Sequence, residues 1–335
     1  IQKKDREWQC CSLKFWKGKP MAGKYEFIST LAKETAKDVT RNPESWARYL
    51  NTAARLYRYP FTEQLLIYAQ RPDATACASL EIWNERMFCW VNKGAKGIAL
   101  LDDSDDRKRL KYVFDVSDVH KARRIGRDPN LWVMEEEMAG AVLERLESIY
   151  GETDVTGSFE NRIIEISNRI AEEQIQELLP DLAYMVEGSF LDGYDDLNLS
   201  VRLKSTMAAS IAYTVLARCN CDTGNLIDEF RFITEFNSPG VLNILGCAVS
   251  ELSMPILQEI GKEVTRFRRQ KENEKTTENN FLKTLAKDTS TDYNALKRKS
   301  EHKDQAHSLR EIPDTIQNDE GEIINDEDRV RTEWG

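Results

Sequence analysis

Lys93-Gly94-Ala95-Lys96-Gly97 puts two ammonium groups on a turn whose glycines permit positive φ and close backbone approach. Backbone N–H groups and lysines that converge on such a turn are suited to holding phosphate oxygens. If the turn closes a tight hairpin, both ammonium groups face one side. Around it, between Trp46 and Ser117, lie five of the eleven tyrosines and three of the seven tryptophans, interspersed with Lys and Arg. Rings offer faces on which bases stack while cations attract phosphates, which is the chemistry of single-stranded nucleic-acid binding. The same rings also suit a core. Trp46, Tyr49, Leu50, Ala53, Ala54 and Tyr57 recur at spacings of three and four, the stripe of a buried helix face, and that is the commoner use of aromatics.

Other chemistries find little support. Of the three histidines, His120 lies in a basic turn region and His302 and His307 in the tail, and HExxH, GxSxG, a P-loop and GxGxxG before a helix are all absent. Seven cysteines at 10, 11, 77, 89, 219, 221 and 247 form no CxxC pair, so no zinc site is expected and reduced, buried thiols in a cytoplasmic protein are. Asp192-Gly193-Tyr194-Asp195-Asp196 lacks the spaced ligands and closing Glu of a calcium loop. The expectation is a non-enzymatic protein with no metal and no cofactor.

The elements that must position these residues can be read in order. The 335 residues carry a formal net charge of −10, 31% charged residues and a mean hydropathy of −0.57. That length predicts two modules, or one with tails. No uninterrupted apolar run approaches membrane-spanning length, so no membrane is expected. Residues 1–40 read as an extension, with Met21 as the expected natural start of an amphipathic run to Val39. Asn42-Pro43 signals a helix start, and Arg71-Pro72-Asp73 ends a second helix. Ser79 or Thr75 caps a helix carrying Trp83, and strands are predicted at 88–92, 98–101 and 110–116 around an acidic tip at 102–106.

Charge then changes sign. Residues 41–127 hold sixteen basic against eleven acidic side chains, whereas residues 134–200 hold seventeen acidic against three arginines. Such asymmetry fits one module facing a polyanion and another facing solvent or a protein. The second part reads as helices at 135–150, 159–179 and 200–219, the last apolar nearly all round and so the centre of a bundle. Ser238-Pro239 and Ser253-Met254-Pro255 each predict a helix start, giving two more helices that end near Phe267. The fold class expected is α+β: a small helix and antiparallel-strand module at 41–127, a mainly α-helical module at 128–269 and a disordered charged tail at 270–335. Within that tail, 293–299 is a candidate short docking helix.

The stretch Tyr59, Leu65-Leu66-Ile67, Gln70-Arg71-Pro72, Trp83, Val91-Asn92-Lys93-Gly94-Ala95-Lys96-Gly97 and Tyr112-Val113-Phe114-Asp115-Val116-Ser117 resembles the N-terminal, single-stranded-DNA-binding domain of the antirestriction protein ArdC family. The resemblance covers about a quarter of the chain; Pro60 and Glu63 stand where the family pattern has Ser and Asn. It implies binding of single-stranded DNA in a mobile-element protein of conjugative transfer or antirestriction. The candidate contacts are Tyr57, Tyr59, Gln64, Arg71, Trp90, Lys93, Lys96, Arg109 and Lys111. From Met21 onward the chain looks like the opening of large conjugative-element proteins, so helicase-like or methylase-like parts further along a longer protein are expected partners. The competing reading is an acidic helical scaffold or DNA mimic that binds restriction or transfer proteins.

Overall fold

The computed structural model describes residues 21–308 except 103–107, 123, 124, 128, 130 and 154–156; side chains are described for 23–278 within that range. The N-terminal extension before Met21, residues 103–106 of the acidic tip and residues 309–335 therefore lie outside the described residues.

Helix α1 spans Met21–Val39, α2 Pro43–Arg55 and α3 Phe61–Gln70. The Asn42 side chain accepts from the Ser45 N–H at 2.8 Å and Pro43 occupies the first turn, so α2 starts as its sequence predicts. Strands β1 (Cys77–Ser79), β3 (Ile98–Asp102) and β4 (Arg109–Asp115) form an antiparallel sheet in the order β1-β4-β3. Its registers pair Ile98 with Val113 and Cys77 with Asp115. Strands β2 (Cys89–Val91) and β5 (Val119–Lys121) form a separate ribbon in which Trp90 opposes His120. The helices α4 (Ala139–Tyr150), α5 (Phe159–Met185), α6 (Asp196–Arg218) and α7 (Pro239–Ser308) follow. The chain is thus α+β, a small antiparallel region followed by a long helical part.

Two helices run through predicted breaks. Pro180 lies inside α5 and Pro255 inside α7, so the segment read as two helices is one. A proline removes one N–H donor from a helix, and a long amphipathic helix whose apolar face is buried can carry that loss. Val241, Leu242, Leu245, Val249, Ile256, Leu257, Ile260 and Val264 of α7 are all core residues. An 18-residue window within Pro239–Glu278 has mean hydropathy 1.5, enough by length and composition to cross a bilayer, but 56% of it is buried inside the protein. Its apolar side chains are bundle core.

The expected boundary near residue 127 does not divide the core. The described residues up to Arg269 form one compact unit. Trp46 of α2 is wholly buried and donates from Nε1 to Ser210 Oγ of α6 at 2.8 Å, and Asn51 Nδ2 donates to the Tyr213 hydroxyl at 3.0 Å. The larger core joins Trp46, Tyr49, Leu50, Phe61 and Leu65 to the apolar faces of α4–α7. A smaller core beneath the sheet takes Leu66 and Ile67 from the other face of α3, with Ile98, Leu100 and Val113. Helix α3 is therefore shared. Charge sign follows the solvated surface and carries no information about where buried contacts continue, which is why the pattern misplaces the boundary.

The described residues from Gln270 onward belong to a second unit. Composition predicts a disordered tail there; the structure carries α7 through to Ser308, past 293–299, and residues 309–335 lie outside the described ones.

Candidate nucleic-acid interface

A groove of about 540 Å³ opens between α1, the end of α3 and the β3–β4 hairpin. That volume lies within the roughly 300–1,000 Å³ of small-ligand sites. Helix α1 lines it with Lys24, Phe27, Ile28 and Leu31, residues spaced by three and four and so on one face. The end of α3 contributes Ala69, Gln70 and Arg71, with Asp73 just beyond. Lys96, Gly97, Ile98 and Ala99 form a second wall, and Leu110 and Tyr112 of β4 a third. Phe27 and Tyr112 are both exposed. Strand alternation decides the last contribution: Tyr112 faces this groove, while its neighbour Lys111 lines a second cavity of about 390 Å³ on the other side.

Side-chain bonds fix the walls. Gln70 Nε2 donates to the Ala99 carbonyl at 2.8 Å and its Oε1 accepts from the Ala99 N–H at 2.9 Å, so one amide side chain closes the open edge of β3. Arg55 Nε donates to the Ala74 carbonyl at 2.8 Å, fixing the link from α3 to β1. Asp115 accepts from Ser117 Oγ at 2.6 Å and from the N–H groups of Thr75 and Ala76 at 2.7 and 3.0 Å. Burial opposes the charge of Asp115, but these bonds outweigh it and hold the carboxyl below its usual pKa. Arg71 pairs with Asp118 and donates to Ser117 Oγ at 2.9 Å, so the groove wall is tied to the turn after β4.

The glycine turn has a different form from the expected hairpin. The Ala95 N–H donates to the Asn92 carbonyl at 3.0 Å, closing a β-turn with Gly94 at φ +90°. Its flanking strands pair elsewhere, β2 with β5 and β3 with β4, so the turn links two sheets. Gly97 has no positive φ, but space around it is tight: a Cβ there would lie 3.2 Å from Tyr112 Cβ and Phe114 Cζ, so those side chains would have to give by a few tenths of an ångström.

The nine candidate residues fall into four sets. Arg71 and Lys96 meet in the groove. Trp90 is 49% exposed on the ribbon, and Lys93 is exposed on the turn, both outside the groove. Arg109 and Lys111 are exposed on β4, with Lys111 paired to Glu63 at 2.7 Å. Tyr57, Gln64 and Tyr59 are structural. Tyr57 is only 6% exposed, its ring lies in the larger core and its hydroxyl accepts from Trp132 Nε1 at 3.3 Å, so it cannot stack on a base. Gln64, 2% exposed, donates to the Tyr59 carbonyl at 2.7 Å and accepts from the Tyr49 hydroxyl at 3.0 Å. Tyr59 is half-buried, with its hydroxyl donating to the Cys77 carbonyl at 2.8 Å. Lys24, Phe27 and Tyr112 join the groove without being among the candidates. Their spacing along α1 and β4 is legible in the sequence, but not the surface that each faces.

Cys77 and Cys221 are poorly suited to nucleophilic chemistry. Burial and nearby Asp115 push Cys77 up to about 12; burial and Glu160 push Cys221 up to about 11. Both are protonated near neutral pH and weak as nucleophiles. Among the described residues, no group of three or more His, Cys, Asp or Glu is placed to hold a metal ion. No family model, curated protein or solved structure matches the chain.

Proposed function

We propose that the chain binds single-stranded DNA without catalysing its chemistry, and that the groove between α1, α3 and the β3–β4 hairpin is where a strand enters. One observation carries the reading: the cavity is rimmed by two exposed rings, Phe27 and Tyr112, and by the cations Lys24 and Lys96, with Arg71, already paired to Asp118, and the Asp73 carboxylate on the same wall. Rings accept bases by stacking, worth roughly 1–3 kcal/mol each, and cations accept phosphates. The local excess of basic residues in 41–127 and the resemblance to the ArdC N-terminal domain support the same reading. In it, the protein acts in the cytoplasm in conjugative transfer or antirestriction, beside helicase-like or methylase-like parts of a longer protein. Trp90 and Lys93 serve as a secondary contact on the ribbon and turn.

Anisotropy of a labelled oligothymidine tests this on the whole chain. Exchanging Lys24 and Lys96 for Gln should weaken binding evenly across sequences. It should also lower the slope of log K against log salt by about 0.7 for each phosphate no longer neutralised. An unchanged affinity and slope in a folded double variant would exclude the groove. Absence of binding by the parent chain would exclude the function.

A further inference from the structure

We propose that the tip of the α5–α6 hairpin, residues 181–201, is a docking surface for a basic amphipathic helix of a partner protein. Four large apolar side chains stand in water here: Tyr184 (83% exposed), Leu197 (74%), Phe190 (67%) and Val201. Met185 and Tyr194 are exposed beside them in sequence, the Tyr194 ring carrying the Arg202 guanidinium 4.0 Å from its centroid. Scattered single apolar residues need no explanation, but six within eighteen residues of one hairpin do.

The loop holds them there. Leu191 is wholly buried, whereas its neighbour Phe190 points out, with its N–H donating to Asn237 Oδ1 at 2.9 Å. The Ser189 hydroxyl donates to the Val186 carbonyl at 2.7 Å, and Gly188 N–H donates to Asp192 at 3.3 Å. On α6, Leu199 and Leu203 face the core while Leu197 and Val201, each two residues from Leu199, face away. The exposure is thus built into a pinned loop and the outer face of a helix.

Charge selects the occupant. Residues 181–201 contain five exposed carboxylates (Asp181, Glu187, Asp192, Asp195 and Asp196) and no Lys or Arg. The next two cations are already engaged: Arg202 with Glu235 at 2.6 Å, and Lys204 with Glu172 at 2.6 Å. A second copy would bring like charges together, and a nucleic acid would meet an acidic surface. A helix with apolar residues on one face and Lys or Arg on its flanks satisfies both the rings and the carboxylates.

The test uses the whole chain and a labelled synthetic helical peptide with Leu and Trp on one face and Lys on the other; a control peptide keeps the apolar face and carries Glu instead. Saturable binding of the Lys peptide, weakened by salt, is expected, with the Glu peptide at least about tenfold weaker. Tyr184→Ser with Leu197→Ser should lower affinity about tenfold or more while circular dichroism stays unchanged. A second variant, Asp181→Asn with Glu187→Gln, should shift the salt dependence without touching the apolar face. No saturable binding, equal binding of the Glu peptide, unchanged affinity in the folded Ser variant, or dimerisation through this tip in sedimentation would each overturn the proposal.

Discussion

Trp46 and Trp90 belong to one aromatic-rich stretch and differ in fate. Trp46 lies on α2, is covered by α6 and spends its indole N–H on Ser210 inside the larger core. Trp90 lies on the two-stranded ribbon, opposite His120, and half of it meets solvent. Tyr57 and Tyr112 repeat the contrast, one hydrogen-bonded to Trp132 in the core and the other on a groove wall. Residue type does not separate these pairs. What separates them is whether a later part of the chain returns to cover the ring, and the segments that cover Trp46 and Tyr57 come more than 70 residues further on. Aromatic density therefore marks either a core or a binding face, and only the covering element tells them apart.

The largest effect should come from the covered class. Trp46→Ala is expected to cost about 3–5 kcal/mol, because it leaves a cavity in the core and removes the donor to Ser210 Oγ, whose own proton stays bonded to the Thr206 carbonyl. Urea denaturation should show sheet and bundle signals lost together; separate transitions would break the idea that α2 and α3 join them. Gly246→Val should cost about 1–3 kcal/mol, since even a Cβ there would lie 2.3 Å from Phe61 Cε2. An unchanged midpoint would mean that α7 packs more loosely on α3 than the geometry requires.

Asp115→Asn falls next, at about 1–3 kcal/mol, by weakening the acceptor shared by Thr75, Ala76 and Ser117. The folded pKa of Asp115 is depressed, so its stabilisation is present above its unfolded value near about 4 and is lost as pH falls through the folded value. The variant should lose that part of the acid dependence; an identical acid limb would remove Asp115 from the account. The uncovered class should respond least in stability and most in binding. Tyr112→Ala and Trp90→Ala should each move stability by about 0.5 kcal/mol or less. Tyr112→Ala should weaken single-stranded DNA binding by about 1–3 kcal/mol, and Trp90→Ala by less, which titration of both variants against one oligonucleotide would check.

Much of the local structure was written in the chain. Asn42-Pro43 started α2, Arg71-Pro72 ended α3, Ile98–Leu101 and Leu110–Val116 paired as strands, and the apolar run after Ser200 became the central helix. Caps, turns and periodicity act within a few residues, so neighbours in sequence suffice to specify them. The continuity of the core across residue 127, the burial of Tyr57 and Gln64, the single helix through Pro255 and the meeting of Lys24, Phe27, Lys96 and Tyr112 around one groove were settled by contacts between distant segments. Burial depends on which surfaces meet after the chain has closed long loops, and no local pattern of residue types encodes that meeting.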